Sequence, residues 1–161
     1  MCRFAPLIRR GGRVLDVACG SGRHARHLAL CGYRVEAVDR DAGCVDALAG
    51  LQNVTLRIAD LEGAPWPYGD ERFDGIVVAN YLHRPLFPRV LAALAPRGVL
   101  IYETFAAGNE RFGRPSNPDY LLKPGELLDL VRGSMRVVAY EDVTVEQPKP
   151  AAVQRICAIR A

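Results

Sequence analysis

The stretch Val14-Leu15-Asp16-Val17-Ala18-Cys19-Gly20-Ser21-Gly22-Arg23-His24-Ala25 decides the fold. Its first residues have the apolar, β-branched character of a buried strand, and those after Gly22 read as the opening of a helix. Glycine suits the join: without Cβ, Gly20 and Gly22 allow a tight turn and let a ligand approach the backbone, while free N–H groups remain at the helix start. In open parallel sheets ligands sit outside the carboxyl ends of the strands, at the point where the strand order reverses. The stretch is therefore a nucleotide site in outline.

Working outward, four segments read as short strands buried on both faces: Arg13 to Val17, Arg34 to Val38, Val54 to Ala59, and Phe73 to Ala79. A fifth follows at Gly98 to Tyr102. Helical stretches alternate with them at Ser21 to Cys31, Ala42 to Leu48 and Leu86 to Leu94, with Gly32 and Pro96 as stop signals. That alternation implies a parallel sheet covered on both faces and joined by right-handed crossovers. After Tyr102 comes a polar loop, Glu103 to Leu121, rich in glycine and proline and long enough to suggest function, then a helix that Pro124 can start. Two strand-like runs, Met135 to Val145 and Ala152 to Arg160, fit a terminal antiparallel pair. The expected fold is α/β, a doubly wound, Rossmann-like seven-stranded sheet, mostly parallel with a C-terminal antiparallel strand pair. Residues 1–161 read as one domain.

A chain of 161 residues has the length of one ordinary core. Half its residues are apolar and 24% are charged, a globular balance rather than that of a disordered, fibrous or membrane chain. The net charge of +3 is small and the basic residues are scattered among acids, so neither a nucleic acid nor a membrane surface is expected as a partner. There is no signal-peptide pattern and no apolar run approaching the roughly 20 residues of a spanning helix, so a cytoplasmic location is expected. Five cysteines, an odd set without a CxxC pair, read as reduced thiols rather than as disulfides or a metal site. The oligomeric state is left open.

Gly20-x-Gly22-x-x-Ala25 also matches the dinucleotide fingerprint, with Asp39 lying 19 residues beyond Gly20 near the spacing of a ribose-binding acid. Two further acids favour another reading: Asp16 lies four residues before Gly20, and Asp60 ends the third strand in Ile58-Ala59-Asp60-Leu61. A dinucleotide enzyme needs neither. Asp16-x-Ala-Cys-Gly-x-Gly, Asp39 after strand two and Asp60 after strand three together resemble the class I S-adenosylmethionine methyltransferases over nearly the whole chain. Within that superfamily, Ala59-Asp60-Leu61-Glu62, Asn80-Tyr81-Leu82-His83-Arg84-Pro85 and the segment Gly108 to Leu122 resemble a bacterial subgroup near the tellurite-resistance methyltransferases.

The resemblance implies the following roles. Asp16 lies near the methionyl ammonium, Asp39 takes both ribose hydroxyls, and Asp60 accepts from the adenine amino group. The backbone around Ala18, Gly20 and Gly22 lines the methionyl part, Arg40 and Leu61 flank the adenine, and Asn80 closes the site from strand four. An aspartate at a strand end can instead cap a helix or turn. Methyl transfer is an in-line displacement at carbon with a good leaving group, so the protein mainly orients the nucleophile. A base matters only when the acceptor arrives protonated. Tyr81 and His83, leaving strand four at its carboxyl edge, are the catalytic candidates, with His83 as general base. His24 and His27 read as solvated positions on the first helix, without further ligands for a metal. Cys19 reads as a packing residue.

Substrate contacts are expected from the loop after strand five, at Glu103, Asn109, Arg111, Arg114 and Tyr120, unless Arg111 and Arg114 pair with Glu110 and Asp119. That loop is expected to be mobile and to close over the methyl group. Only about twelve residues precede Arg13, so the N-terminal covering helix of this class is expected to be short or absent. The function expected is transfer of a methyl group from S-adenosylmethionine to a small-molecule acceptor. The rivals are a non-catalytic S-adenosylmethionine-binding protein and an NAD(P)-binding oxidoreductase, for which no Tyr-x-x-x-Lys pair is found.

Overall fold

The structure, a computed structural model, describes residues 1–161 apart from the side chains of Cys44 and Val45. Its strands are β1 (Arg13–Val17), β2 (Arg34–Asp39), β3 (Val54–Ile58), β4 (Phe73–Ala79), β5 (Leu94–Phe105), β6 (Met135–Val145) and β7 (Ala151–Arg160). Its α-helices are α1 (Arg23–Leu30), α2 (Val45–Leu48), α3 (Phe87–Ala92) and α4 (Glu126–Val131). One seven-stranded sheet runs in the order β3-β2-β1-β4-β5-β7-β6. The first five strands pair in parallel, while β7 pairs antiparallel with both β5 and β6. The doubly wound fold expected from strand and helix alternation is the fold observed.

Two apolar layers cover the sheet. On one face α1 buries Ala25, Leu28 and Ala29 against Val14, Val35 and Ala37. Those helix positions recur at the three- and four-residue spacing of a helical face, while Leu30 on the opposite side is 70% exposed. On the other face α3 and α4 bury Val90, Leu127 and Val131 against Leu15, Ile76 and Leu100. β1 and β4 lie side by side, yet β1 leads to a helix on the first face and β4 to a helix on the second. The strand order reverses between them, and a crevice opens there.

Several boundaries differ from the sequence reading. α1 starts at Arg23 instead of Ser21, because Ala18, Gly20 and Gly22 are left-handed and Gly22 takes the cap position. α3 stops at Ala92, since Leu94 already pairs with Phe73 in the sheet. Pro96 ends no helix: it sits in a bulge that shifts the register from Phe73↔Leu94 to Gly75↔Val99, with Arg97 left-handed. β5 continues to Phe105 because β7 holds it through Phe105↔Val153, so Glu103 to Phe105 belong to a strand. Among the described residues no helix is long and apolar enough to cross a membrane.

The segment after β5 is anchored at several points. Asn109, 2% exposed, donates to Pro115 O at 2.9 Å and accepts from Ala152 N at 3.3 Å. Arg84 binds Glu126 through both carboxylate oxygens at 2.6 and 2.9 Å, and donates to the carbonyls of Asp119 and Leu121 at 2.7 and 2.9 Å. One guanidinium thus holds the turn after β4, the end of the loop and the start of α4. Arg84→Ala should lower stability by about 2 kcal/mol, because it strands a partly buried carboxylate and two carbonyls. A thermal melt should show Tm falling by roughly 4–8 °C, with faster hydrogen exchange confined to residues 117–126.

Candidate functional site

After Arg13 the one polar residue of β1 is Asp16, which is 1% exposed in the middle of the sheet and points to the α1 face. It accepts a hydrogen bond from Ala25 N, a first-turn donor that the cap residue Gly22, lacking a side chain, leaves unmet. Its other oxygen, Oδ2, is buried without a hydrogen-bond partner among the described residues. Burial pushes this carboxyl up to about 7, and the Ala25 N–H offsets that only in part. A buried acid with an unpartnered oxygen calls for a cationic or donor ligand.

Asp16 lines a cavity of about 370 Å³ whose walls also include Gly20, Ser21, Arg23, His24, Ala79 and Asn80. A second cavity, about 290 Å³, is walled by Asp39, Arg40, Asp60, Leu61, Glu62 and Tyr81. The two meet at Ala18 and Asn80, which line both. These residues end the adjacent strands β1 and β4, and both are left-handed without being glycine, at φ 53° and 55°. Backbone strain of this kind persists where the surroundings enforce it, and it concentrates at binding sites. Here it turns the two chains apart and opens the crevice.

Asp39 and Asp60 each brace a turn while facing the second cavity. Asp39 accepts from Gly20 N at 2.8 Å and from Asp41 N at 3.0 Å, fixing the glycine loop to the end of β2. Cys19 N adds a bond to Val38 O at 3.0 Å. Asp60 accepts from Glu62 N at 2.9 Å, and the Glu62 and Gly63 N–H groups hold its carboxyl below the ordinary range, with Arg40 and His83 adding to the effect. Each carboxylate keeps lone pairs beyond these bonds. A Cβ on Gly20 would meet nothing within 4 Å and so project into open space, whereas one on Gly22 would strike Leu48 at 2.9 Å. Gly22 therefore serves the contact between α1 and α2, and Gly20 leaves room.

The expected cofactor residues Asp16, Ala18, Gly20, Asp39, Arg40, Asp60, Leu61 and Asn80 thus come together, with Gly22 just behind them. The expected catalytic pair divides. Tyr81 lines the second cavity, and burial together with the neighbouring Glu62 carboxylate pushes its hydroxyl far above its usual range. It keeps its proton, and its oxygen is buried. His83 is half-buried, precedes the turn at Arg84–Leu86 and lines neither cavity.

His24 shows the opposite shift: read as solvated, it is half-buried and walls the first cavity. A first-turn side chain of a helix that opens at the glycine loop lies against that loop, and this was the signal available in the sequence. In the loop after β5, Asn109 is a buried brace rather than a substrate contact. Glu103 pairs with Arg155. Arg111 and Glu110 both bond to the backbone of Gly108 instead of to each other. Among the described residues no cluster of ligands suits a metal ion.

Comparison with known proteins bears on this site. The family model described as a methyltransferase domain matches residues 14–98, which run from β1 into β5 and hold every residue of both cavities. A protein-L-isoaspartate O-methyltransferase of Methylorubrum extorquens is 35% identical over 141 residues, 80% of this chain and 60% of that protein. A demethylmenaquinone methyltransferase of Clavibacter sepedonicus is 30% identical over 105 residues, 60% of this chain and 42% of that one. The crystal structure of TehB from Haemophilus influenzae superposes with a TM-score of 0.82 at 18% identity, covering 99% of this chain and 61% of TehB. The chain spans less than two thirds of the length of each of these proteins.

Asp16 gives a test that separates a binding acid from a structural one. Its ordinary unfolded value is near 3.9, and in the fold it stands at about 7, so ionising it costs stability. That cost is absent at low pH, grows as pH rises between these values and is complete above 7. Asp16→Asn should therefore raise the Tm of the ligand-free protein at pH 8, by about 2–4 °C for each kcal/mol, and the gain should fade toward pH 4. The same variant should bind S-adenosylhomocysteine more weakly by about 1.5–3 kcal/mol at pH 8 in calorimetry. Wild-type affinity should fall as pH drops below 7. Unaltered affinity in Asp16→Asn would show a purely structural acid.

Proposed function

We propose, since this chain belongs to the methyltransferase domain family, that it binds S-adenosylmethionine in the paired cavities and transfers the methyl group to a small-molecule acceptor. The observation that carries this reading is the buried, unpartnered Asp16 oxygen at one end of a divided cleft whose other end holds Asp39 and Asp60. The ligand has a matching order of groups: an ammonium at one end, a ribose diol in the middle and an adenine amino group at the other. Asp16 Oδ2 suits the ammonium, the remaining lone pairs of Asp39 suit the diol, and Asp60 suits the amino group, with Leu61 and Arg40 against the ring. The open space before Gly20 admits the methionyl chain. A nicotinamide dinucleotide has no ammonium group to set against the buried acid.

When bound, the cofactor supplies a methyl group on a sulfonium that leaves as a neutral thioether. The protein's part is placement. Asp39 and Gly20 fix the loop against the ligand, and Ala18 and Asn80 set the junction of the two cavities. Tyr81, its buried hydroxyl held in the protonated form, forms part of the second cavity's wall. Fixing both reactants in line accounts for much of the acceleration such a site can give.

A small acceptor has one named precedent among the relatives. The relative from Clavibacter is named for demethylmenaquinone, whereas the one from Methylorubrum is named for isoaspartate in a protein. The substrate therefore needs its own test. Calorimetry should give binding of S-adenosylhomocysteine and S-adenosylmethionine and none of NADH. Asp39→Ala should weaken the first by about 1–3 kcal/mol, by removing a charged acceptor from the diol. A screen of small hydroxyl, amine and thiol compounds, scored by S-adenosylhomocysteine formation, should then yield the acceptor. Binding of NADH in place of the other two would overturn the reading.

A further inference from the structure

We infer that Arg23, at the mouth of the first cavity, takes the carboxylate at the methionyl end of the cofactor, with His24 as the residue that positions its guanidinium. The site then selects ligands that carry an intact α-amino acid group. The inference rests on the methyltransferase reading above and deepens it. Arg23 and His24 open α1 and line the same cavity as Asp16. An α-amino acid carries its ammonium and its carboxylate on one carbon, so a ligand whose ammonium meets Asp16 brings a second negative charge close to that acid. Two carboxylates so near each other repel, and a cation beside the second one offsets the cost.

Arg23 is placed to be that cation. It is exposed yet walls the cavity, and so stands on its solvent side. Among the described residues it pairs with no carboxylate, unlike Arg84, which binds Glu126, and Arg155, which binds Glu103 and Glu141. Its side chain meets His24 instead, with Nη2 3.3 Å from Nε2. A guanidinium has donors and no acceptor, so Nε2 accepts, the ring proton resides on Nδ1, and further N–H groups of Arg23 remain for a ligand. Burial raises the Asp16 carboxyl, whereas the Ala25 N–H and the Arg23 charge draw it down, so Arg23 already lies within electrostatic reach of the acid.

His24 supplies the anchor. It is half-buried, and burial first and the Arg23 charge second hold its imidazole below the ordinary range, which keeps it an acceptor near neutral pH. Holding a long, exposed side chain at the cavity before the ligand arrives lowers the ordering cost of binding. The neighbouring cations are committed elsewhere. Arg26 donates to Ala47 O at 3.1 Å, and Arg40 lines the second cavity.

The test is calorimetry on the full chain with S-adenosylhomocysteine and with its decarboxylated analogue, which keeps the ammonium for Asp16 and lacks only the carboxylate. Wild type should bind S-adenosylhomocysteine about tenfold more tightly than the analogue, the worth of a charge-assisted contact. Arg23→Gln should erase that ratio by weakening S-adenosylhomocysteine alone, and Arg23→Lys should restore part of it. His24→Leu should lower the ratio to about threefold, whereas His24→Gln, whose side-chain oxygen can accept from Arg23, should keep it. A wild-type ratio near unity, or an Arg23→Gln variant that weakens both ligands equally or neither, would overturn the assignment while leaving the methyltransferase reading intact. A full ratio in His24→Leu would overturn the positioning role. Failure of wild type to bind either ligand would overturn the inference and the reading together.

Discussion

The architecture depends on one constraint: β1 and β4 are neighbours in the centre of the sheet, yet their chains leave toward opposite faces. Both strands are buried on both sides, so neither can bend away before its carboxyl end. The separation happens within one residue of each end, at Ala18 and Asn80, and both take a left-handed conformation that costs a non-glycine residue about 1–3 kcal/mol. The crevice is the geometric result of that parting. The surrounding sheet enforces it: Asn80 N is held by Glu103 O of β5, and Cys19 N by Val38 O of β2.

The three aspartates show how such a cleft is kept in shape. Capping and binding are compatible, because a carboxylate has more lone pairs than one turn can use. Asp16 satisfies an orphan donor of α1, Asp39 ties down the glycine loop, and Asp60 closes the turn after β3. Their environments then separate them. Asp60 is exposed and easily ionised, whereas Asp16 is shut inside the sheet and resists ionisation near neutral pH. A fold that keeps a half-satisfied acid in its central strand accepts lower stability, and a ligand cation would remove the conflict. That is the pattern expected of a site that trades stability for binding.

Much of this was legible in the sequence, because it rests on short-range rules. Periodicity and punctuation located all seven strands, and Asp16, Gly20, Asp39 and Asp60 stood at the strand ends where the crevice forms. What escaped depended on contacts between distant segments. The length of β5 is set by β7, some fifty residues later in the chain, so Glu103 was assigned to a loop. Asn109 looked like an exposed polar residue until Pro115 and Ala152 were seen around it. His24 was read as solvated yet walls the first cavity, and His83 is absent from both cavity walls, because the sequence shows that a residue follows a strand or opens a helix, but not which side of the crevice its ring occupies. Gly22 was chosen for the turn and the ligand, yet its neighbour is Leu48 of α2.

The central claim is that the divided cleft holds S-adenosylmethionine with its ammonium on Asp16. A crystal structure of the chain with S-adenosylhomocysteine tests it most directly. The account predicts the amino group within about 3 Å of Asp16 Oδ2, the ribose diol on Asp39, and the adenine between Leu61 and Arg40 beside Asp60. A ligand bound in the reverse direction, or one that leaves Asp16 Oδ2 without a partner, would contradict it.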